Sequence, residues 1–208
     1  MSSREYIANL SLVSLGADPI DDFADNTNEA RAIRQFYDPF IRHVFSLYPW
    51  SFSTPVKSLT ALAGTPPAGW SYQFIRPDEA MHIFKVFDTG SSAQDPISDY
   101  DTIEDLIVTN RPALSVQYSV YKAEATWPGY FQTFAWHALK AIIAQTITDS
   151  KERADDAFEM AYGTKAQFGK GGYYAVAVGA DARQAPPQQR PPSPMATAFR
   201  RPGALWRC

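Results

Sequence analysis

The residues able to do chemistry in this chain are few and scattered. Its three histidines, His43, His82 and His137, lie far apart in the sequence, and His43 has no histidine, cysteine or aspartate nearby at a spacing a metal would use. The only cysteine is Cys208, which leaves no second thiol for an internal disulfide or a zinc site. Gly169-Lys170-Gly171-Gly172 has the glycines and lysine of a phosphate loop, but it lacks the spacing and the Ser or Thr that must follow the lysine. The chain has no G-x-G-x-x-G, no H-E-x-x-H and no nucleophile elbow. Carboxylates group only at Asp21-Asp22, Asp99 with Asp101, and Asp155-Asp156. None has calcium-loop spacing, and all read as solvated turns or faces. The expectation is a protein that is not an enzyme, with no catalytic residue, metal or cofactor.

A chain of 208 residues suits one domain, or one domain with an insertion and a tail. Its net charge of −3 argues against a general nucleic-acid binder. Arg4 and Glu5 come early and the first apolar runs are short, so the start does not read as a signal peptide. No apolar run approaches the roughly 20 residues that cross a bilayer. The reading is a protein without a membrane partner, made in a reducing cytoplasm.

The elements that hold these residues begin with two helices. Tyr6, Ile7, Leu10, Leu12 and Val13 give a first stripe, which Gly16 and Pro19 end. A second helix starts near Asn26, where Asn26 and Glu29 have capping-box-like spacing. Ala30, Ile33, Tyr37, Phe40, Ile41, Val44, Phe45 and Tyr48 follow at helical spacing, and Pro39 should kink or divide the helix. His43 reads as a boundary residue on it.

Residues 49–77 then carry dense Trp, Phe and Tyr. Val56, Ser58, Thr60 and Leu62 lean to strand. Gly64-Thr65-Pro66-Pro67-Ala68-Gly69 is a turn, and Trp70, Tyr72 and Phe74 alternate in a second strand. The two should pair as a hairpin, and helix and sheet should share one core here. Trp50 and Phe52 are expected as the hinge of that core, with Trp70, Tyr72 and Phe74 closing it. Further strands are expected over residues 81–87, 106–109 and 114–120, after a polar loop at residues 90–99. Five short strands with short loops imply an antiparallel sheet.

Pro128 opens a helix whose wide apolar face runs from Phe131 through Phe134, Ala135, Ala138, Leu139, Ile142 and Ile143 to Ile147, with Trp136 and His137 near its edge. Asp149 or Ser150 caps another, with Ala154, Ala157, Phe158, Ala161 and Phe168 as a thinner stripe. After Gly169 the pattern breaks, and the glycine-rich stretch reads equally as an irregular continuation or a short strand.

From Arg183 the composition changes. Residues 183–208 hold five arginines, six prolines and no acidic residue. Residues 1–182 keep fourteen basic residues against all twenty-two acidic ones, giving a body of −8 and an arm of +5. Such an arm cannot form a core and favours extended structure. It reads either as a solvated tail or as an arm that orders on a partner. The second is favoured by Phe199, Leu205 and Trp206, with Arg183, Arg190, Arg200 and Arg201 as the charged contacts.

Several short motifs recur in order. Leu12 precedes Leu15-Gly16-Ala17-Asp18-Pro19-Ile20. Tyr48-Pro49-Trp50-Ser51-Phe52 follows, then Pro66-Pro67-Ala68-Gly69-Trp70-Ser71-Tyr72 and Arg76-Pro77-Asp78. Val116-Gln117-Tyr118, Trp127-Pro128 and the helix from Phe131 to Ser150 complete the set. Over residues 5–168 this ordered set resembles the head-to-tail adaptor proteins of tailed bacteriophages, in particular the tail tubular protein A type of short-tailed phages. The ordered set as a whole carries the resemblance, and the sequence departs from the family's pattern after Phe168.

The resemblance implies an α+β fold: a helical bundle from residues 1–48 and 123–168, an antiparallel β insertion over 49–122, and an extended arm within 169–208. It also implies a structural virion protein at the head–tail interface, present in the host cytoplasm during assembly. Its partners would be the portal protein, the tail nozzle or other tail proteins, and its own copies in a twelve-fold ring. DNA would pass through without specific binding. The other reading of the residues is a cytoplasmic interaction module whose Pro/Arg arm binds a partner domain or nucleic acid.

Overall fold

The computed structural model describes residues 3–89 and 96–184. Its architecture is α+β. Two N-terminal helices, α1 (Arg4–Ser14) and α2 (Asn28–Ser46), precede six strands, β1 (Val56–Leu59), β2 (Tyr72–Ile75), β3 (His82–Asp88), β4 (Tyr100–Ile103), β5 (Leu106–Thr109) and β6 (Leu114–Ser119). Three helices follow: α3 (Gly129–Thr148), α4 (Lys151–Tyr162) and α5 (Gly172–Ala182).

The bundle is built around α3, which packs against all four other helices. That explains its broad apolar face: Phe131, Phe134, Ala135, Ala138, Leu139, Ile143 and Ala144 are all buried. Phe131 is the meeting point of five aromatic rings. The centroids of Trp50 and Phe52 lie 4.9 Å away, Trp127 5.0 Å, Phe45 5.3 Å and Phe134 6.2 Å. Helix α2 contributes the expected face, from Ala30 to Phe45. Its cap is Thr27, not Asn26, with Thr27 Oγ1 accepting from the Ala30 N–H. Pro39 does not divide it. Pro39 and Gln35, whose carbonyl loses its donor, both face solvent, where water can replace the bond.

Two corrections concern the helices. Within stretch 169–182, residues 172–182 are neither irregular nor a strand but a helix. Gly171 caps α5, and Tyr174, Ala177 and Val178 pack it onto the bundle, so the helical unit extends to Ala182. Of the four glycines that hid this helix, Gly169 and Gly171 lie in the tight loop before it, and Gly172 and Gly179 lie within it. In α4 the buried residues are Ala157, Ala161 and Tyr162, while Phe158 is exposed and Phe168 lies beyond the helix.

The sheet topology differs from the expected hairpin. Strands β1, β6 and β3 form one antiparallel sheet in that order, and β2, β5 and β4 form another. Val56 pairs with Gln117, and Tyr72 with Thr109. The first two strand regions touch only at an Ala61–Phe74 bridge, where the Leu62 N–H donates to Gln73 O over 2.8 Å. Strand β4 had no apolar alternation to reveal it. It is set by a two-residue turn, Glu104-Asp105, with Glu104 at φ +55°, which aligns Ile103 with Leu106.

The two sheets close over Phe74 and Ile107 from one side and Val86, Leu114, Val116 and Tyr118 from the other. This core is distinct from the bundle core, so helix and sheet do not share one. Trp50 and Phe52 belong to the bundle and Phe74 to the sheets. The insertion leaves and rejoins the bundle at one root. There the Val120 N–H donates to Ser53 O over 2.9 Å, and the Tyr118 N–H to Pro55 O over 3.3 Å.

Two buried carboxylates lock the bundle around this root. Glu124 accepts from the hydroxyls of Tyr37 (2.7 Å) and Tyr121 (2.9 Å). Asp181, at the end of α5, accepts from Ser51 N–H (3.1 Å), Ser51 Oγ (2.7 Å) and the Tyr130 hydroxyl (2.6 Å). Burial, followed by that bond to Asp181, pushes the Tyr130 hydroxyl up to about 12. Replacing Asp181→Ala strands three donors, with water reaching part of the gap, and should cost about 1–3 kcal/mol. Urea unfolding checks this, and Ser51→Ala should cost less than Asp181→Ala.

Candidate docking surface

The three histidines do not converge. His43 lies edge-on to Tyr162, His82 to Phe84, and His137 is buried in α3. Among the described residues, no group of three His, Cys, Asp or Glu side chains is placed to hold a metal ion, and no helix is long and apolar enough to cross a membrane. Trp70 is half-buried and Tyr72 exposed, so the expected cluster of Trp50, Phe52, Trp70, Tyr72 and Phe74 is not assembled. Arg183 is exposed just past α5. Arg190, Phe199, Arg200, Arg201, Leu205 and Trp206 lie outside the described residues.

What the fold does assemble is an apolar groove of about 370 Å³ between α1 and α3, lined by Tyr6, Asn9, Leu10, Val13, Ser14 and Trp136. It exists because α1 is rotated from its expected face. Ile7, Ala8, Ser11 and Leu12 point inward. Ser11 is small enough to bring α1 onto α3, and its Oγ donates to Trp136 O over 2.9 Å. The rotation leaves Tyr6 and Val13, 50% and 57% exposed, on the groove side. The missed signal was that Ala8 and Ser11 can serve as a contact stripe.

Asn9 fixes the rim of the groove. Its side chain donates to Ile20 O (2.8 Å) and accepts from the Ile20 N–H (2.9 Å), which ties the acidic link after α1 to the groove wall. Asp18, Asp21 and Asp22 on that link are exposed. Inside, the Trp136 ring stacks on His137 at 3.5 Å, and His137 stacks on Tyr173 of α5 at 3.8 Å. Trp136, the α3 wall of the groove, is thus linked through His137 to the start of α5.

That start is held by a second unusual feature. Between α4 and α5 the chain turns back through Gly163, Phe168, Gly169 and Gly172, all at positive φ. The Thr164 N–H donates to Gln167 Oε1 (3.0 Å), the Gly171 N–H to Tyr162 O (2.8 Å) and the Lys170 N–H to Gln167 O (3.0 Å). A side chain on Gly163 would collide with Gln167 and the Gly171 backbone. Phe168, at φ +50°, is the non-glycine residue the loop forces left-handed, and its side chain is 88% exposed. A bulky residue there carries strain of about 1–3 kcal/mol, which the surrounding bonds must offset.

No family model matches this sequence, and no curated protein matches it.

His137 gives the stability of the fold a pH dependence. Burial first, then the nearby Lys140 charge, lowers it from its ordinary value to about 4. The unfolded chain takes up the proton first as pH falls, so this contribution is full above about 6.5 and fades toward 4. Between pH 7 and 5 the loss should be about 2 kcal/mol, and His137→Phe should remove most of it. Denaturant titrations at the two pH values measure both.

Proposed function

We propose that this chain is a structural virion protein, a head-to-tail adaptor whose copies form a ring joining the portal to the tail and lining the DNA exit channel. The observation that carries the reading is the layout. Helices from both sides of the β segment close one bundle around α3, and the antiparallel insertion leaves and returns at one root. That is the arrangement the ordered motifs imply for this family.

Physical features support it. A ring subunit needs side surfaces with apolar anchors, and Tyr6, Val13, Phe158, Phe168 and Val176 are exposed. A channel wall must let the duplex slide. A body of −8 in residues 1–182 disfavours the phosphate contacts on which sequence-independent DNA affinity rests. The arm, with Arg190, Phe199, Arg200, Arg201, Leu205 and Trp206, is the segment we assign to the portal. Its aromatic anchors, repeated around a ring, would offset the entropy of ordering it.

Electron microscopy of the purified chain mixed with portal tests the reading, and rings seated on portal are the expected result. Truncation after Gln184 leaves α5 whole and should keep the helical circular dichroism signal while abolishing attachment to portal-bearing capsids. Full attachment by the truncated chain would sink the arm assignment. A chain that binds no portal, while tails still assemble without it, would sink the function.

A further inference from the structure

We propose that Phe168 of one copy seats in the α1/α3 groove of a second copy, making a head-to-tail contact between subunits. This deepens the ring reading, yet it rests on residues outside the arm.

Shape comes first. Phe168 is held outward on a bonded loop in a left-handed conformation and is 88% exposed, so it does not fill its own chain's groove. Such strain is retained where the presented side chain has a use. The groove is walled by Tyr6, Leu10, Val13 and Trp136, and its roughly 370 Å³ accommodates one aromatic side chain. Knob and hole lie at different places on one chain. Their contact is therefore heterologous, and repeated rotation gives a ring if it closes. An aromatic anchor in an apolar pocket is the usual energetic centre of such an interface.

Charge agrees. Lys165 and Lys170 flank Phe168, both exposed, and the loop from 163 to 171 has no acidic residue. Exposed Asp18, Asp21 and Asp22 lie on the link that the groove-lining Asn9 clamps through Ile20, with Lys140 one turn beyond Trp136 as the opposing charge. Three carboxylates outweigh it, a balance complementary to the two lysines. Exposed Met160 and Tyr173, on the two helices the loop joins, extend the apolar contact around the knob. The area beyond one side chain is what a stable interface requires.

Cysteine crosslinking tests the pairing in a Cys208→Ser chain, with and without portal. A double variant, Ala166→Cys beside the retained Phe168 with Val13→Cys, should give a ladder of dimers, trimers and longer species on oxidation. An equimolar mixture of the two single variants should stop at a mixed dimer. Phe168→Gly, which relieves the left-handed strain, should keep or raise thermal stability while weakening self-association about tenfold. That split would not arise if Phe168 were merely structural. A ladder absent in both conditions overturns the proposal. So does a Phe168→Gly chain that associates like the parent, or preferential crosslinking of Val13→Cys to Phe199→Cys, which would assign the groove to the arm. The adaptor reading is judged separately by portal attachment. Ladders without portal binding leave this contact standing, and portal binding without ladders removes it alone.

Discussion

The rings around Phe131 are the constraint on which the rest of the structure depends. Trp50 and Phe52 come from the corner after α2, Phe45 from α2 itself, Trp127 from the approach to α3, and Phe134 from α3. Edge-to-face pairs add to the burial of each ring and fix angles as well as distance. Trp50 is also pinned by its indole, which donates to Val44 O over 2.8 Å and closes the end of α2. Chain entering the β segment and chain leaving it are thus clamped on one helix.

Polar groups then do what rings cannot, which is to fix register. Asp181 reaches back to Ser51, beside Trp50, so α5 is set against the same corner that α3 holds. Glu124 does the same between Tyr37 on α2 and Tyr121 at the exit from the sheets. Because α5 is placed by Asp181 at one end and the Tyr173–His137 stack at the other, the loop before it is held as well. The position of Phe168 follows from this chain of contacts.

Long periodic segments were legible in the sequence. Helices α2 and α3 show their buried faces plainly, because large apolar side chains recur at helical spacing over five turns. Other features were hidden for identifiable reasons. The face of α1 rests on Ala8 and Ser11, which apolar counting ignores. Helix α5 is apolar nearly all round and follows glycines, so it offers no stripe. Strand partners were misassigned because alternation shows that a strand has two faces but not which neighbour it bonds, and here β1 reaches across more than fifty residues to β6. The groove was illegible for the same reason as α1. The knob was legible only as an aromatic in a presumed helix, since its exposure comes from the loop's backbone.

The single root of the β insertion bears on how this chain reaches its fold. Ser53 and Val120 are hydrogen-bonded neighbours in space, although 67 positions separate them in sequence. Before the sheets form, bringing α2 to α3 means closing that whole span. Once β1 and β6 zip together, the ends of α2 and α3 are delivered side by side, and the remaining closure is short. The β1–β6 pairing thereby holds the ends of α2 and α3 together, so one non-local closure serves both the sheet and the bundle.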